Sequence, residues 1–235
     1  MSSLVTLASK DTHVEITMDD GKANAMSFAM FEGLNAALDQ AVEENKVVVL
    51  LGRPGRFSAG FDLTVMAKTD DDTIRLLRNG ADLARRVMDF ETPVILGVSG
   101  HALAMGALLC LAADYRIGSH GEYKLGLNEV AIGMTLPWFG IELARHRLAK
   151  AHINPAVGLA KLYNPAGAVE AGFLDEAVAE DAFETRLQEM AASVAVLDMR
   201  SHRNSKRRVR EVFFADYDQA VTRDFEGGAL FASGD

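Results

Sequence analysis

The chain has 235 residues, of which 49% are hydrophobic and 24% are charged, and its formal net charge at pH 7 is -9. A chain of this size and composition can bury a large core, which excludes a mainly disordered protein and predicts one globular domain with at most a small appendage. The acidic balance argues against a general nucleic-acid binder. The single cysteine, Cys110, excludes an intrachain disulfide, and its apolar neighbours indicate a buried, inert thiol in a reducing cytoplasm.

The first residues lack the basic start and continuous apolar run of a targeting segment, and no stretch reaches the roughly 18 apolar residues of a membrane span. The longest apolar stretch, 94–113, contains Ser99, His101 and several glycines, which fit a strand, a turn and a buried helix. We therefore expect a soluble, cytoplasmic protein without a membrane partner.

The first predicted elements are a hairpin and a helix. Residues 4–18 alternate in polarity around a turn at Lys10 and Asp11, as in two antiparallel strands at the start of a sheet. From Ser27 to Ala41 the apolar residues recur at helical spacing, and Ser27 is the predicted N-cap.

Strand, turn and helix then alternate along the chain. The apolar, β-branched run 47–52 is typical of a strand covered on both faces, and a loop and an amphipathic helix around 76–87 follow it. A second such strand at 94–100 leads into an apolar helix at 105–113. Repeats of this kind predict the α/β fold class.

After Pro137 the pattern is mostly helical. We predict a short strand at the end of 166–178 and helices at 138–150, 156–163, 181–197 and 201–225. The last residues, 225–235, are predicted to form a frayed end.

Two glycine-bearing turns follow predicted strands: GRPGRFSAGFDL at 52–63 and GHALAMG at 100–106. If such turns lie on neighbouring strands, each can direct a backbone N–H outward, and the two N–H groups together can bind a developing oxyanion. Ordinary tight turns use glycine in the same way. Neither segment matches a phosphate loop, and the residues alone leave both interpretations open.

The motifs resemble those of a known superfamily. FSAGFDLTVM at 57–66, the block 97–114 followed by YRI, and GLNEVAIGM at 126–134 have the order and spacing of the crotonase (enoyl-CoA hydratase/isomerase) superfamily. The resemblance covers residues 13 to about 180, and the wording is most similar to mitochondrial-type Δ3,Δ2-enoyl-CoA isomerases.

The resemblance implies a spiral of ββα units as the core, at 1–180, and a C-terminal helical trimerisation region at 181–235. It also implies a homotrimer or a dimer of trimers. The implied substrate is an acyl-CoA thioester. No separate cofactor is expected, because coenzyme A is part of that substrate.

By motif position, the resemblance assigns the two N–H donors for the thioester oxygen to Ala59 and Met105. Glycine is usual at the second position, so Met105 is a departure that brings a side chain close to the acyl pocket. The residues implied to contact substrate are Ser58, Gly60, Phe61, Asp62, Gly106, Leu108 and Lys22. Asp62 and Asp114 occupy positions with a structural role in the family.

Glu129 is the candidate base. Family hydratases use two glutamates, and the other position holds Leu108 here. Hydration requires a held water and proton delivery, which two carboxylates share, whereas moving a double bond from β,γ to α,β requires one base within reach of both carbons. The apolar neighbours of Glu129, which include Leu127, Val130 and Ile132, are expected to raise its pKa by desolvation. A turn cap or a structural ion pair is the alternative role.

Other charged groups have weaker assignments. The segment 68–86 lies where family members place a mobile segment over the acyl chain, and its aspartates at 70–72 are predicted to cap the next helix. Lys22, Arg53 and Arg56 are candidates for the coenzyme A phosphates, with solvated surface charges as the alternative. His101 is expected to be packed or hydrogen-bonded.

Three functions follow from these residues. The first is an enoyl-CoA isomerase with Glu129 as the base, and the second is an enoyl-CoA hydratase in which another group positions water. The third is a non-catalytic binder of acyl-CoA, or of RNA through the basic run 202–210, although the acidic residues that follow favour a solvated helix or a subunit contact. No metal is expected, because no His, Cys or carboxylate groups have ligand spacing.

Overall fold

The computed structural model describes residues 3–68 and 70–226. In chain order the strands are β1 (Val5–Ser9), β2 (His13–Met18), β3 (Ala25–Met26), β4 (Val47–Leu51), β5 (Gly55–Ser58), β6 (Gly60–Phe61), β7 (Val94–Val98), β8 (Gly100–Leu103), β9 (Tyr115–Ser119), β10 (Leu125–Gly126) and β11 (Glu176–Val178). The α-helices are α1 (Phe28–Glu44), α2 (Leu63–Met66), α3 (Asp71–Met88), α4 (Met105–Ala112), α5 (Trp138–Arg147), α6 (Lys150–Val157), α7 (Pro165–Ala171), α8 (Phe183–Ala195), α9 (Met199–Val209) and α10 (Glu211–Glu226).

The large sheet has the strand order β1-β2-β4-β7-β9-β11. β1 and β2 form the predicted antiparallel hairpin, and every other neighbouring pair in this sheet is parallel. The side chains of β7 are buried on both faces, as are almost all of those of β4. Burial on both faces explains why these two strands are continuous apolar runs in the sequence.

A smaller sheet has the strand order β10-β8-β5. Each of its strands comes after a strand of the large sheet and before a helix. The path repeats as β4, β5 and α3, then β7, β8 and α4, then β9, β10 and α5. This succession confirms the predicted α/β class and ββα units. The three strands of the small sheet are parallel, so their carboxyl ends meet at one edge.

Two predicted helix caps are confirmed. The Ser27 side chain accepts a hydrogen bond from the Met30 amide at 3.2 Å at the start of α1. The Asp70 carboxylate accepts from the amides of Asp72 at 3.0 Å and Thr73 at 3.2 Å at the start of α3. Each cap satisfies amides that the first helical turn leaves without a partner. From residue 71 onward, the segment predicted as a cover for the acyl chain is therefore a capped helix.

The prediction of a helix at 156–163 is wrong. Helix α6 ends at Val157, and the next helix, α7, begins at Pro165 after the N-cap Asn164. Proline suits the first position of a helix because the missing N–H has no intrahelical partner there. Pro155, directly before the predicted helix, lies inside α6.

The predicted single helix at 201–225 is two helices. The backbone leaves helical geometry at Arg210, where φ is -99° and ψ is 7°. The buried Arg210 guanidinium extends to the Met88 carbonyl oxygen at 2.5 Å and to Asp114 at 2.9 Å. Residues 227–235, most of the predicted frayed end, lie outside the described residues.

The helices after residue 180 pack against the earlier part of the chain. Helix α8 covers one face of the large sheet through an apolar cluster of Val47, Val49, Ile95, Ile117, Leu187 and Ala191. Helix α10 packs on α5, and its buried Tyr217 hydroxyl donates to the Ala81 carbonyl oxygen of α3 at 2.8 Å. The domain boundary at 180 and the trimerisation role of this region stay predictions.

Candidate active site

The segments that follow β5, β8 and β10 meet at the carboxyl edge of the small sheet. The Ala104 amide donates to the Gly126 carbonyl oxygen at 3.1 Å, which joins the second and third segments. A Cβ placed on Gly60 would lie 2.6 Å from the Ala104 Cβ and 3.3 Å from the Met105 nitrogen, so the first segment touches the second. The fold thus brings both glycine-bearing turns to the segment that carries Glu129.

Two of the glycines predicted to contact substrate allow this close approach. Gly60 has a φ of +94°, a conformation that side chains of L residues rarely adopt. A Cβ on Gly106 would lie 2.7 Å from the Ser58 carbonyl oxygen, so glycine lets the first turn of α4 approach the end of β5.

The Ala59 amide is already occupied, because it donates to the Ala23 carbonyl oxygen at 3.0 Å. The prediction that Ala59 supplies a donor for a ligand is therefore wrong for this structure. The Asp62 amide is also occupied, since it donates to the Met26 carbonyl oxygen of β3 at 3.3 Å. Successive amides of a strand point to opposite sides, so the amide of Phe61, one residue before Asp62, is directed away from β3.

The Met105 amide lies at the amino end of α4. The first amides of a helix have no intrahelical acceptor, and this end of the helix dipole favours negative charge. The residue before it, Ala104, has a φ of 48° and a ψ of -121°, a strained conformation for alanine. This strained turn directs the chain from β8 into α4 and sets the position of the Met105 amide. The Met105 side chain is fully buried.

Glu129 is buried without a paired cation. Its side chain is 7% exposed, and its Oε2 atom has no hydrogen-bond partner. Among the described residues, no ion pair includes this carboxylate. Desolvation by burial raises the pKa of Glu129 to about 7. The predicted rise in pKa is confirmed, and the alternative of a structural ion pair loses its support.

The backbone around Glu129 is held by a short 3₁₀ helix at Val130–Ile132. The Glu129 carbonyl oxygen accepts from the Ile132 amide at 3.1 Å and from the Met134 amide at 2.9 Å. Val130 and Ile132, which we expected to desolvate the carboxylate, are about half exposed, whereas Leu127 is buried. Of these three apolar neighbours, only Leu127 is itself buried.

Leu108 is fully buried in α4. Its Cδ1 atom would lie 3.5 Å from a Cβ on Gly140, so its side chain faces α5. At this position the chain presents an apolar group in place of a second carboxylate.

Two other predicted substrate contacts have structural roles. The buried Ser58 hydroxyl donates to the Asn24 carbonyl oxygen at 2.7 Å and accepts from the Gly60 amide at 3.1 Å. The Asp62 carboxylate caps α2 by accepting from the Thr64 amide at 2.9 Å. The structural role expected of Asp62 is thereby confirmed, and the Ser58 hydroxyl orients the turn that precedes Phe61.

The predicted phosphate contacts Arg53 and Arg56 lie in one turn, where the Arg56 amide donates to the Arg53 carbonyl oxygen at 3.0 Å. The Arg53 guanidinium donates to the carbonyl oxygen of exposed Lys22 at 2.9 Å, so the Arg53 side chain lies against the Lys22 backbone. Arg56 lies near the start of β5 and pairs with His101 in the sheet register. The His101 Nδ1 atom accepts from the Lys124 amide at 3.2 Å, so this histidine is hydrogen-bonded as expected. Desolvation by burial lowers the pKa of His101. A phosphate role for these cations stays a prediction.

The basic run at 202–210 is largely neutralised by acidic groups of the earlier chain. Its ion pairs join Lys206 and Arg210 to Asp114, Arg207 to Asp89, and Arg203 to Glu91. These contacts confirm the structural role of Asp114. They leave the RNA-binding alternative without the free basic face that phosphate binding requires.

Cys110 is fully buried, and burial raises the pKa of its thiol to about 12, which agrees with an inert core residue. Over residues 3–68 and 70–226, no group of three His, Cys, Asp or Glu side chains is placed to hold a metal ion. Within the same ranges, no helix combines the length and apolarity needed to cross a membrane.

The spiral of ββα units, with the buried carboxyl group of Glu129 on the segment that follows the small sheet, is the architecture of a crotonase-fold enzyme. Residues 9–229 match the family described as enoyl-CoA hydratase/isomerase, and the chain belongs to that family. The predicted resemblance is thereby confirmed.

The names of individual relatives include isomerase and hydratase activities. The chain is 24% identical over 217 residues to mitochondrial enoyl-CoA delta isomerase 1 of Mus musculus, a match that covers 90% of this chain and 75% of the mouse protein. Among solved structures, an enoyl-CoA hydratase/isomerase family protein from Pseudomonas syringae has a TM-score of 0.94 at 39% identity and covers 97% of this chain and 98% of its own. An enoyl-CoA isomerase from Mycobacterium tuberculosis has a TM-score of 0.90 at 36% identity, with 95% and 98% covered.

Proposed function

We propose that the protein is an enoyl-CoA isomerase that moves a double bond of an acyl-CoA thioester from the β,γ to the α,β position. The observation that supports this reaction is the buried carboxyl group of Glu129, which has no paired cation within the described ranges, with apolar Leu108 where a second carboxylate would be needed for hydration. A pKa of about 7 gives Glu129 both the ionised form that accepts a proton and the protonated form that returns it.

In the proposed reaction the thioester oxygen accepts hydrogen bonds from the amides of Phe61 and Met105. The Glu129 carboxylate removes a proton from C2, the electron pair of that bond forms a C1–C2 double bond, and the carbonyl π electrons move onto the thioester oxygen. This enolate is conjugated with the C3–C4 double bond, so the intermediate is a dienolate. The Glu129 carboxyl group then returns a proton to C4, and the double bond forms between C2 and C3. Each amide that stabilises such an oxyanion contributes about a hundredfold to a thousandfold in rate.

The pH dependence of turnover tests the role of Glu129. We expect kcat/KM for a short 3-enoyl-CoA to rise with pH through about 7 and then to level off, because the protonated carboxyl group cannot accept the C2 proton. Initial rates between about pH 5 and pH 9, followed by the absorbance of the conjugated thioester, measure this. An inflection close to the ordinary carboxyl value of 4.5 would contradict a buried base.

The product test separates isomerase from hydratase. With 3-hexenoyl-CoA we expect the absorbance of the conjugated thioester to appear. With 2-hexenoyl-CoA we expect that absorbance to persist, because Leu108 provides no second carboxylate to activate water. If the protein removes the conjugated absorbance of 2-hexenoyl-CoA as fast as it forms it from the 3-isomer, the hydratase assignment replaces this one.

An enoyl-CoA hydratase is the second candidate, because a second buried oxygen atom next to Glu129 in the chain could help to hold the water that hydration requires. The side-chain Oδ1 atom of Asn128 is buried without a hydrogen-bond donor, like the Oε2 atom of Glu129 beside it. Two such acceptors on consecutive residues would suit a bound water. The third candidate, a non-catalytic acyl-CoA binder, predicts binding of both thioesters with turnover of neither.

Three further properties belong to this proposal. The partner is an acyl-CoA thioester, and coenzyme A within that substrate is the only cofactor group required. The assembly is a homotrimer or a dimer of trimers, which sedimentation can test.

A further inference from the structure

Gly80 lies in the interior of α3, where glycine is disfavoured relative to alanine. The structure gives the reason. A Cβ on Gly80 would lie 2.5 Å and 2.6 Å from two carbon atoms of the Phe61 ring and 3.1 Å from the Met105 sulfur. The glycine therefore leaves room for the Phe61 ring and the Met105 side chain.

Phe61 and Met105 are also the residues whose amides form the proposed oxyanion hole. Both side chains extend from that hole to the same point on α3. The Met105 side chain is fully buried, and the Phe61 ring lies 6.3 Å from the ring of buried Phe31 in α1. The space between the hole and α3 is therefore filled by the protein's own apolar groups.

Other residues of α3 continue this apolar surface. Those that are buried include Leu76, Leu77, Ala81 and Ala84. A long acyl chain directed toward α3 would have to displace the Met105 side chain or the Phe61 ring from a packed contact, and packed cores resist such insertion.

We infer that the contact of Phe61 and Met105 on Gly80 closes the acyl end of the site and makes the protein selective for short acyl groups. This inference rests on the proposed site and names its substrate class. A methylene that enters an apolar pocket raises affinity roughly fourfold, whereas a methylene that stays in water contributes nothing. In a closed pocket, affinity stops rising with chain length once the available space is filled.

The first measurement is the binding of saturated thioesters, which does not require turnover. Calorimetric titration of the wild type is expected to show that dodecanoyl-CoA binds no more tightly than hexanoyl-CoA. In Met105→Ala, dodecanoyl-CoA is expected to gain at least about tenfold in affinity relative to hexanoyl-CoA, because the truncated side chain opens the contact on Gly80. The backbone amide is retained, and the ratio of the two affinities removes any common change in binding.

Met88→Ala is the matched control, because Met88 is a second fully buried methionine, on α3 itself, about two turns from Gly80. Its affinity ratio is expected to equal that of the wild type. Phe61→Leu provides a second test of the same contact if Met105→Ala does not fold by circular dichroism, and it is expected to shift the ratio in the same direction.

Two results would overturn the inference. One is tighter binding of dodecanoyl-CoA than of hexanoyl-CoA by the wild type. The other is a folded Met105→Ala or Phe61→Leu variant whose ratio of dodecanoyl-CoA to hexanoyl-CoA affinity equals that of the wild type. Turnover separates this failure from failure of the proposed function. If 3-hexenoyl-CoA is isomerised while the binding ratio contradicts closure, only the inference fails. If both thioesters bind as expected while no 3-enoyl-CoA is isomerised, the closed pocket stands and the isomerase proposal fails.

Discussion

Replacing Glu129 by glutamine is expected to lower kcat/KM for 3-hexenoyl-CoA by about a hundredfold to ten-thousandfold, the range that a positioned general base contributes. Glutamine keeps the size and polarity of the side chain but cannot accept the C2 proton. The loss is measured by the rate at which the conjugated thioester absorbance appears. Glu122→Gln is the control, because Glu122 is an exposed carboxylate shortly before β10 and its replacement should leave this rate unchanged.

The same substitution is expected to stabilise the folded protein at pH 8. The pKa of Glu129 is raised from 4.5 to about 7, so the folded state binds this proton more tightly than the unfolded chain does. The free energy of unfolding therefore falls as pH rises from about 4.5 to about 7, by at most about 3 kcal/mol. Glutamine carries no charge and avoids this cost.

Stability thus distinguishes a base from a structural carboxylate. Denaturant unfolding of wild type and Glu129→Gln at pH 8 measures the difference, which should shrink toward pH 5. A variant that retains turnover and unfolds more easily at pH 8 would mean that Glu129 serves the fold.

Replacing Asp114 by asparagine is expected to lower the free energy of unfolding by about 3 to 5 kcal/mol. The Asp114 carboxylate lies 2.6 Å from the Lys206 Nζ atom and 2.9 Å from the Arg210 Nη2 atom. Both cations are buried, and their side chains are 4% and 8% exposed. Without the carboxylate, two desolvated positive charges would face each other, and the attachment of α9 to the earlier chain would weaken.

Asp218→Asn is the matched control for this prediction. Asp218 also pairs with an arginine, Arg85, at 3.1 Å, but its side chain is 61% exposed. Exposed pairs contribute between about 0 and 1 kcal/mol, so this substitution should change stability little. Urea unfolding of both variants at one pH provides the comparison. Equal effects of the two substitutions would show that the buried network does not hold the C-terminal helices in place.

Several features of the protein could be predicted from the sequence because they depend on neighbouring residues. The apolar runs of β4 and β7, and the caps at Ser27 and Asp70, follow from local burial pattern and local hydrogen bonding. The family follows from three short motifs, and Glu129 stands out as a carboxylate within one of them.

Other features depend on residues that are distant in the chain. The amide of Ala59 is occupied because the Ala23 carbonyl oxygen comes to it from the turn before β3, and this contact moves the proposed donor to Phe61. The reason for glycine at position 80 is visible only when the Phe61 ring and the Met105 sulfur lie against α3. The direction of a backbone amide is set by strand pairing, which a linear pattern does not record.

The C-terminal helices show the same division. Helical spacing predicted the helical character of 201–225, but the break at Arg210 accompanies contacts of its side chain with Met88 and Asp114. The sequence by itself determined the fold class, the family and the candidate base, because residue type and spacing carry that information. Only the tertiary structure decided that the Ala59 amide is occupied and which side chains pack against Gly80, because those outcomes depend on partners that folding brings together.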